Sequence, residues 1–269
     1  MISLQNLYGK LWMKVLAAGL LLACLNVHPL VHRTIINLDT QVAIKMNSIV
    51  GVNPIFDQTI GWLSTRMGDA FMLICLCVLF LIHAICGSNL NERIRRISFW
   101  IWLGLLCLIT YFLSSVSESF IKRDTPILAI HPFRNLQPIY GIVFRSCPTS
   151  SFPSGHGLAY LFFSIMAWRR YFAMSLMLWF LTLVMLSLRL IVGLHWLSDI
   201  VLGSLFLAVL LASLINGTSL KNTYRCIQKG ILFALRSLFS KSNYDVLIGY
   251  YRLSRGSGST NYFELHGRH

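Results

Sequence analysis

Pro153-Ser154-Gly155-His156 opens one stretch of this chain, and Arg189-Leu190-Ile191-Val192-Gly193-Leu194-His195-Trp196-Leu197-Ser198-Asp199 closes it. Between the two ends lie long apolar runs, at about 155–170 and 172–190. Ionisable side chains at the edges of apolar helices are costly, and they mark functional sites when they recur together. This reading decides the fold class: two apolar helices whose ends on one side carry two histidines, an arginine and an aspartate.

Working outward, the same apolar character repeats. The chain of 269 residues is 56% hydrophobic and 12% charged, whereas a soluble domain carries about 25% charged residues. Further apolar blocks run over about 11–31, 70–86, 97–116 and 195–214, which makes six of roughly membrane-spanning length. The first is flanked by Lys10 and Lys14, is long enough to span, and has no small-residue cleavage site, so it reads as a retained signal anchor. The expected fold class is an all-α integral membrane protein, a six-transmembrane helical bundle over 1–216 with a basic tail over 217–269.

Charge placement sets the expected orientation. Six spans put both termini on one side. That side receives 15 of the 23 Lys and Arg residues, including Arg93, Arg95 and Arg96 in one short linker and Arg169 and Arg170 in the other. Positive charge in short linkers marks the cytoplasmic face. Both termini are then cytoplasmic, and the polar region 117–153 lies with the 190–195 turn on the outer side. The net charge of +14 is accounted for by this pattern, and no nucleic-acid partner is expected.

Two polar stretches remain. The region 32–69 reads as a short helix on the membrane surface, with Ile55, Ile60, Trp62 and Leu63 on one face, or as an irregular loop. In the tail, Cys226, Ile227, Leu232, Leu235, Leu238 and Phe239 recur at near-helical spacing, with Arg225, Lys229, Arg236 and Lys241 between them. That is the pattern of a basic amphipathic helix on anionic lipid, followed by a flexible run at 255–260. Of the seven cysteines, five lie in or beside apolar blocks, and Cys147 stands alone in the outer loop. They read as small apolar residues, with no disulfide framework and no zinc spacing.

The chemistry follows from the residue types. His195 and Asp199 stand four apart, on one face of a helix. A carboxylate that accepts the imidazole's Nδ1–H leaves Nε2 as a nucleophile. Arg189 offers a planar fork suited to phosphate oxygens, although alone it also fits an arginine snorkelling from a helix end. Pro153 fixes the entry to the next helix, Ser154 can cap it, and Gly155 lets the backbone approach a ligand. The free N–H groups there suit an anion, and His156 is placed to protonate a leaving oxygen. An ordinary N-cap with an interfacial histidine fits the tetrapeptide too. The charge-derived topology puts both groups on the same outer face.

These motifs resemble those of the type 2 phosphatidic acid phosphatase superfamily. Pro153-Ser154-Gly155-His156 matches its second motif, and Arg189, His195 and Asp199 match its third, with the likeness extending over about 35–215. The resemblance implies that His195 attacks phosphorus to form a phosphohistidine, that Asp199 orients it, and that His156 protonates the leaving group. It assigns Arg189, Ser154 and the Gly155 amide to the phosphoryl oxygens. The family's first motif, lysine, six residues, arginine-proline, is altered: with Pro126 as its proline, Thr125 and Glu118 fill the cationic positions. Lys122 and Arg123 nearby are the candidates to supply that charge, Arg123 also reading as a surface charge. One branch, the lipid A 1-diphosphate synthases, is similar in its Lys-Arg-x-Ser/Thr-Pro segment, in the Trp168-Arg169 pair and in the segment from Gly193 to Ile200. That branch carries Asp where Gly155 stands here.

The expected activity is a membrane lipid phosphatase acting on undecaprenyl diphosphate, phosphatidylglycerophosphate or a lipid A phosphate. The alternative is a phosphotransferase from undecaprenyl diphosphate to lipid A, and a non-enzymatic protein with a decayed site is a third reading. The expected location is a bacterial inner membrane with the site facing the periplasm. Partners are a lipid phosphate and the bilayer. No metal or other cofactor is called for, because cations and N–H donors around three oxygens suffice for this chemistry.

Overall fold

The computed structural model describes residues 11–142, 151–218 and 222–238. Lys10, Arg145, Cys147, Phe239, Lys241 and the run at 255–260 lie outside them. Among the described residues every regular element is helical. In chain order these are α1 (Leu11–Val27), α2 (Pro29–Asn47), α3 (Pro54–Leu63), α4 (Arg66–Ile85) and α5 (Leu90–Phe120), then the short α6 (Pro126–Ala129) and α7 (Leu136–Tyr140). There follow α8 (Gly155–Ala167), α9 (Phe172–Val192), a π-helical segment Asp199–Leu205 that runs on into α10 (Phe206–Gly217), and α11 (Tyr224–Leu238).

Among the described residues four helices are long and apolar enough to cross a membrane: α4, α5, α9 and the continuous Asp199–Gly217 helix. The other two apolar blocks form shorter helices. α1 has 17 residues and stops where Pro29, which has no N–H to continue the ladder, starts α2. α8 has 13 residues, about 20 Å at 1.5 Å per residue, against a hydrocarbon core of about 30 Å. The most apolar window of α4 is only 17% buried within the protein, and Phe71, Ile74 and Val78 face outward from it. On α9 Leu176, Met177, Phe180 and Leu183 are likewise exposed. Apolar faces of this extent are at home in lipid rather than water.

The region 32–69 is neither a loop nor a surface helix alone. The 19-residue α2 occupies its first part, to Asn47, and the buried positions of α2 are Asp39, Ala43 and Asn47, one helical face with two polar members. Both are hydrogen-bonded. Asn47 Nδ2 donates to the carbonyls of Arg134 and Ile191 (3.0 Å each) and its Oδ1 accepts from the Arg134 N–H (2.8 Å). In α3, Ile60 is buried while Ile55 and Trp62 are exposed, so the expected shared apolar face is split.

The chain divides into two compact units, Met1–Phe80 with Leu103–Lys221, and Leu81–Trp102 with Asn222–His269. In the first, α8 is central and packs on α9, on the π-helical segment and on α10. Leu158, Phe162 and Leu178 are fully buried there. Ser175 Oγ donates to the Ser164 carbonyl (2.6 Å), and the Ser164 and Thr182 hydroxyls meet at 3.2 Å. Such small polar pairs hold apolar helices together where a hydrophobic drive is weak. In the second unit, the Trp100 indole donates to His83 Nδ1 (3.0 Å), Arg96 reaches the His83 carbonyl (2.8 Å), and the Trp102 indole donates to Thr223 Oγ1 (2.7 Å).

Candidate active site

Helix ends bring the site together. α4 begins near Asp69, α5 ends at Glu118, α8 begins at Gly155, α9 ends past Arg189, and the π-helical segment begins at Asp199. Start, end, start, end, start is the alternation that an antiparallel bundle places at one face. There a cavity of about 560 Å³ opens. Asp69, Glu118, Gly155, His156, Arg189 and His195 line its polar end, and Leu73, Leu76, Ala159 and Phe163 belong to its apolar wall.

Three loop segments are knitted beneath it. The Ser151 N–H donates to the Arg123 carbonyl (2.8 Å), and the Trp196 indole donates to the Asp124 carbonyl (2.7 Å). Ser204 Oγ contacts the carbonyls of Ser154 (2.8 Å) and Asp199 (3.1 Å). The Ile127 N–H donates to the Gly193 carbonyl (3.1 Å). Gly193 has φ +79° and closes α9. A Cβ there would stand 2.4 Å from the Phe133 ring, so both conformation and space demand glycine.

His195 precedes the helix instead of lying on it. Its Nδ1 is 2.8 Å from the Ser151 carbonyl oxygen and 3.8 Å from Asp199 Oδ2. A carbonyl only accepts, so Nδ1 carries the hydrogen and Nε2 keeps its lone pair. The tautomer is thus set by a backbone carbonyl, not by the carboxylate that the spacing of four suggested. Asp199 is fully buried. It accepts from the Trp196 N–H (2.8 Å) and from Arg123 Nη1 (2.7 Å), and reaches His195 as a nearby charge.

Arg123 faces inward but does not line the cavity. Its Nη1 bonds Asp199 and Ser198 Oγ (2.7 Å each), its Nη2 bonds Asp39 Oδ2 (2.6 Å), and its guanidinium lies over the Trp196 ring. Asp39 also accepts from the Ser198 N–H (2.9 Å) and hydroxyl (2.5 Å). Lys122 is exposed and does not line the cavity either. The structure therefore does not bring these two cations to the position expected for phosphate contact. Both lie in the non-helical link between α5 and α6, where Arg123 is turned inward and Lys122 outward.

Ser154 is buried and caps α8, its Oγ accepting from the Gly157 N–H (3.3 Å). Gly155 lines the cavity, and a Cβ there would stand 2.9 Å from Ser114 Oγ. His156 Nε2 lies 3.3 Å from Asp69 Oδ2, and Arg189 pairs with Asp69 Oδ1. In the sequence Asp69 and Asp39 read only as acids that keep the stretch 32–69 polar, not as site residues. The only signals for them were Asp39's helical spacing with Ala43 and Asn47, and Asp69's place as the single acid of α4.

His195, with Nε2 free, the Arg189 guanidinium and His156 thus meet at the polar end of a cavity that has an apolar wall. Residues 99–224 match the model of the PAP2 superfamily, which supports the assignment that the motifs implied. The match includes Arg123, Ser154, His156, Arg189, His195 and Asp199, while Asp39 and Asp69 precede it. The chain is also 24% identical over 181 residues to lipid A 1-diphosphate synthase of Escherichia coli (strain K12), covering 66% of this chain and 74% of that protein. No solved structure matches it.

Proposed function

We propose that this protein is a bacterial inner-membrane enzyme that takes a phosphoryl group from a lipid phosphate or diphosphate onto His195 and passes it on. Family and relative support a lipid phosphatase or phosphotransferase in general terms. The observation that carries the finer reading is the cavity, where His195, His156 and Arg189 meet an apolar wall that suits a lipid tail.

In the first step Nε2 of His195 attacks phosphorus. The N–P bond forms as the bond to the leaving oxygen breaks, and His156 gives that oxygen a proton. Arg189 and the Gly155 N–H hold phosphoryl oxygens as charge spreads over them. The Ser151 carbonyl keeps the proton on Nδ1, and the buried Asp199 charge stabilises the imidazolium side of the transfer. In the second step an acceptor oxygen attacks phosphorus as the N–P bond breaks, and His195 leaves as the neutral imidazole. His156 takes up the proton that a water acceptor loses or, with a deprotonated lipid phosphate as acceptor, one from solvent. Lys122 and Arg123 are removed from the phosphate contacts; Arg123 acts as a positioning residue for Asp199.

Two acceptors fit. Water makes the protein a phosphatase. A second lipid's phosphate makes it a phosphotransferase, and the relative's name, a synthase of lipid A 1-diphosphate, favours that acceptor. The site then faces the periplasm with both termini cytoplasmic, as the Arg-rich short linkers suggest. The test is mass spectrometry of lipid products after purified protein is incubated with undecaprenyl diphosphate, with and without lipid A. A doubly phosphorylated lipid A supports transfer, and inorganic phosphate alone supports hydrolysis. Unchanged lipids in both mixtures would count against the enzymatic reading.

A further inference from the structure

Asp69 holds both donors that a phosphoryl group would require. Its Oδ1 pairs with Arg189 and its Oδ2 lies 3.3 Å from His156 Nε2. All three residues line the polar end of the cavity. They come from three helices, the first turn of α4, the first turn of α8 and the last turn of α9. The Arg189 side chain is 5% exposed and the Asp69 side chain 18%, so the pair is formed largely out of water, where such contacts are strong. An acid at a helix start is ordinarily favourable by itself. That does not account for a carboxylate that spends one oxygen on each of the two groups facing the reacting position.

A carboxylate resembles two of the three equatorial oxygens of a phosphoryl group in charge and in acceptor geometry. We propose that Asp69 is the resting occupant of the phosphoryl-oxygen subsite and thereby sets how tightly the site holds a phosphate anion. The proposal rests on the reading of this cavity as a phosphate site. An incoming phosphate, with more charge and one more oxygen, displaces the carboxylate from Arg189 and His156. When the anion leaves, Asp69 returns to both donors and opposes rebinding. Occupation by an internal carboxylate leaves only a fraction of molecules competent to bind, and the apparent dissociation constant is the intrinsic one divided by that fraction.

The experiment is calorimetric titration of inorganic phosphate into the full chain in detergent, which needs no turnover. Asp69→Asn keeps size and one acceptor but removes the charge, and binding is expected to tighten by about tenfold or more as the competent fraction rises. Asp69→Ser, which cannot reach either donor, is expected to tighten it as well, and serves if the first variant does not fold. Unchanged or weaker binding in the folded variants overturns the proposal and makes Asp69 a brace between helices. Arg189→Gln is expected to abolish binding in native and Asp69→Asn backgrounds alike. If phosphate binds undiminished without Arg189, the cavity is not the phosphate site, and the functional reading falls with the proposal.

Discussion

His195 Nδ1 lies 2.8 Å from the carbonyl oxygen of Ser151, while the nearest Asp199 oxygen is 3.8 Å away. The backbone therefore fixes the tautomer, and Asp199 contributes charge. Asp199→Asn is expected to slow turnover by about 10²-fold, within the range general acid–base groups contribute, and to leave activity above that of His195→Ala. Steady-state rates of the two variants on the same lipid check this ordering. Equal loss in both would return the tautomer role to the carboxylate.

Arg123 joins two carboxylates that are 2% and 0% exposed, Asp39 and Asp199. Arg123→Ala leaves them facing each other without a cation, and a loss of about 3–5 kcal/mol of stability is expected, as for other broken buried pairs. The measurement is thermal unfolding in detergent. A variant as stable as the native protein but unable to bind phosphate would instead place Arg123 in the binding machinery.

Gly193 sets the position of His195 from the other side. Gly193→Ala forces a Cβ into the left-handed region and into the Phe133 ring. A destabilisation of about 1–3 kcal/mol is expected from the backbone alone, together with a fall in kcat as the turn shifts. Denaturation and kinetics on the same preparation check both.

The apolar wall makes a distinction between substrates. Ala159→Trp fills part of the cavity beyond the phosphate end. KM for a long-chain lipid phosphate is expected to rise about tenfold, the scale of a poorly fitting apolar pocket, while a short water-soluble phosphate ester is spared. Equal effects on both would move the lipid tail elsewhere.

The sequence carried the apolar helices, the α9 turn at Gly193 and the two motif arms, because each is local: a run, a glycine, a spacing. It did not carry the partners that set their chemistry. The Ser151 acceptor is a backbone carbonyl and leaves no mark in residue type. Asp39 and Asp69 lie far along the chain from the groups they meet, in stretches where an acid reads as solvated. Lys122 and Arg123 were legible as a pair of cations. Their fates diverged because Arg123 meets two buried carboxylates, both remote in sequence, while Lys122 is left exposed. The region holding α2 looked polar enough for a surface, since its buried face is polar and is satisfied only by contacts distant in sequence.

The central claim is that His195 carries the phosphoryl group. The direct measurement is rapid quenching of the protein with undecaprenyl diphosphate labelled in its terminal phosphate, followed by alkaline gel separation and peptide mass spectrometry. An alkali-stable, acid-labile label on the peptide containing His195, absent from His195→Ala, is the expected result. Turnover of the lipid with no label at His195, or with label retained in that variant, would contradict it.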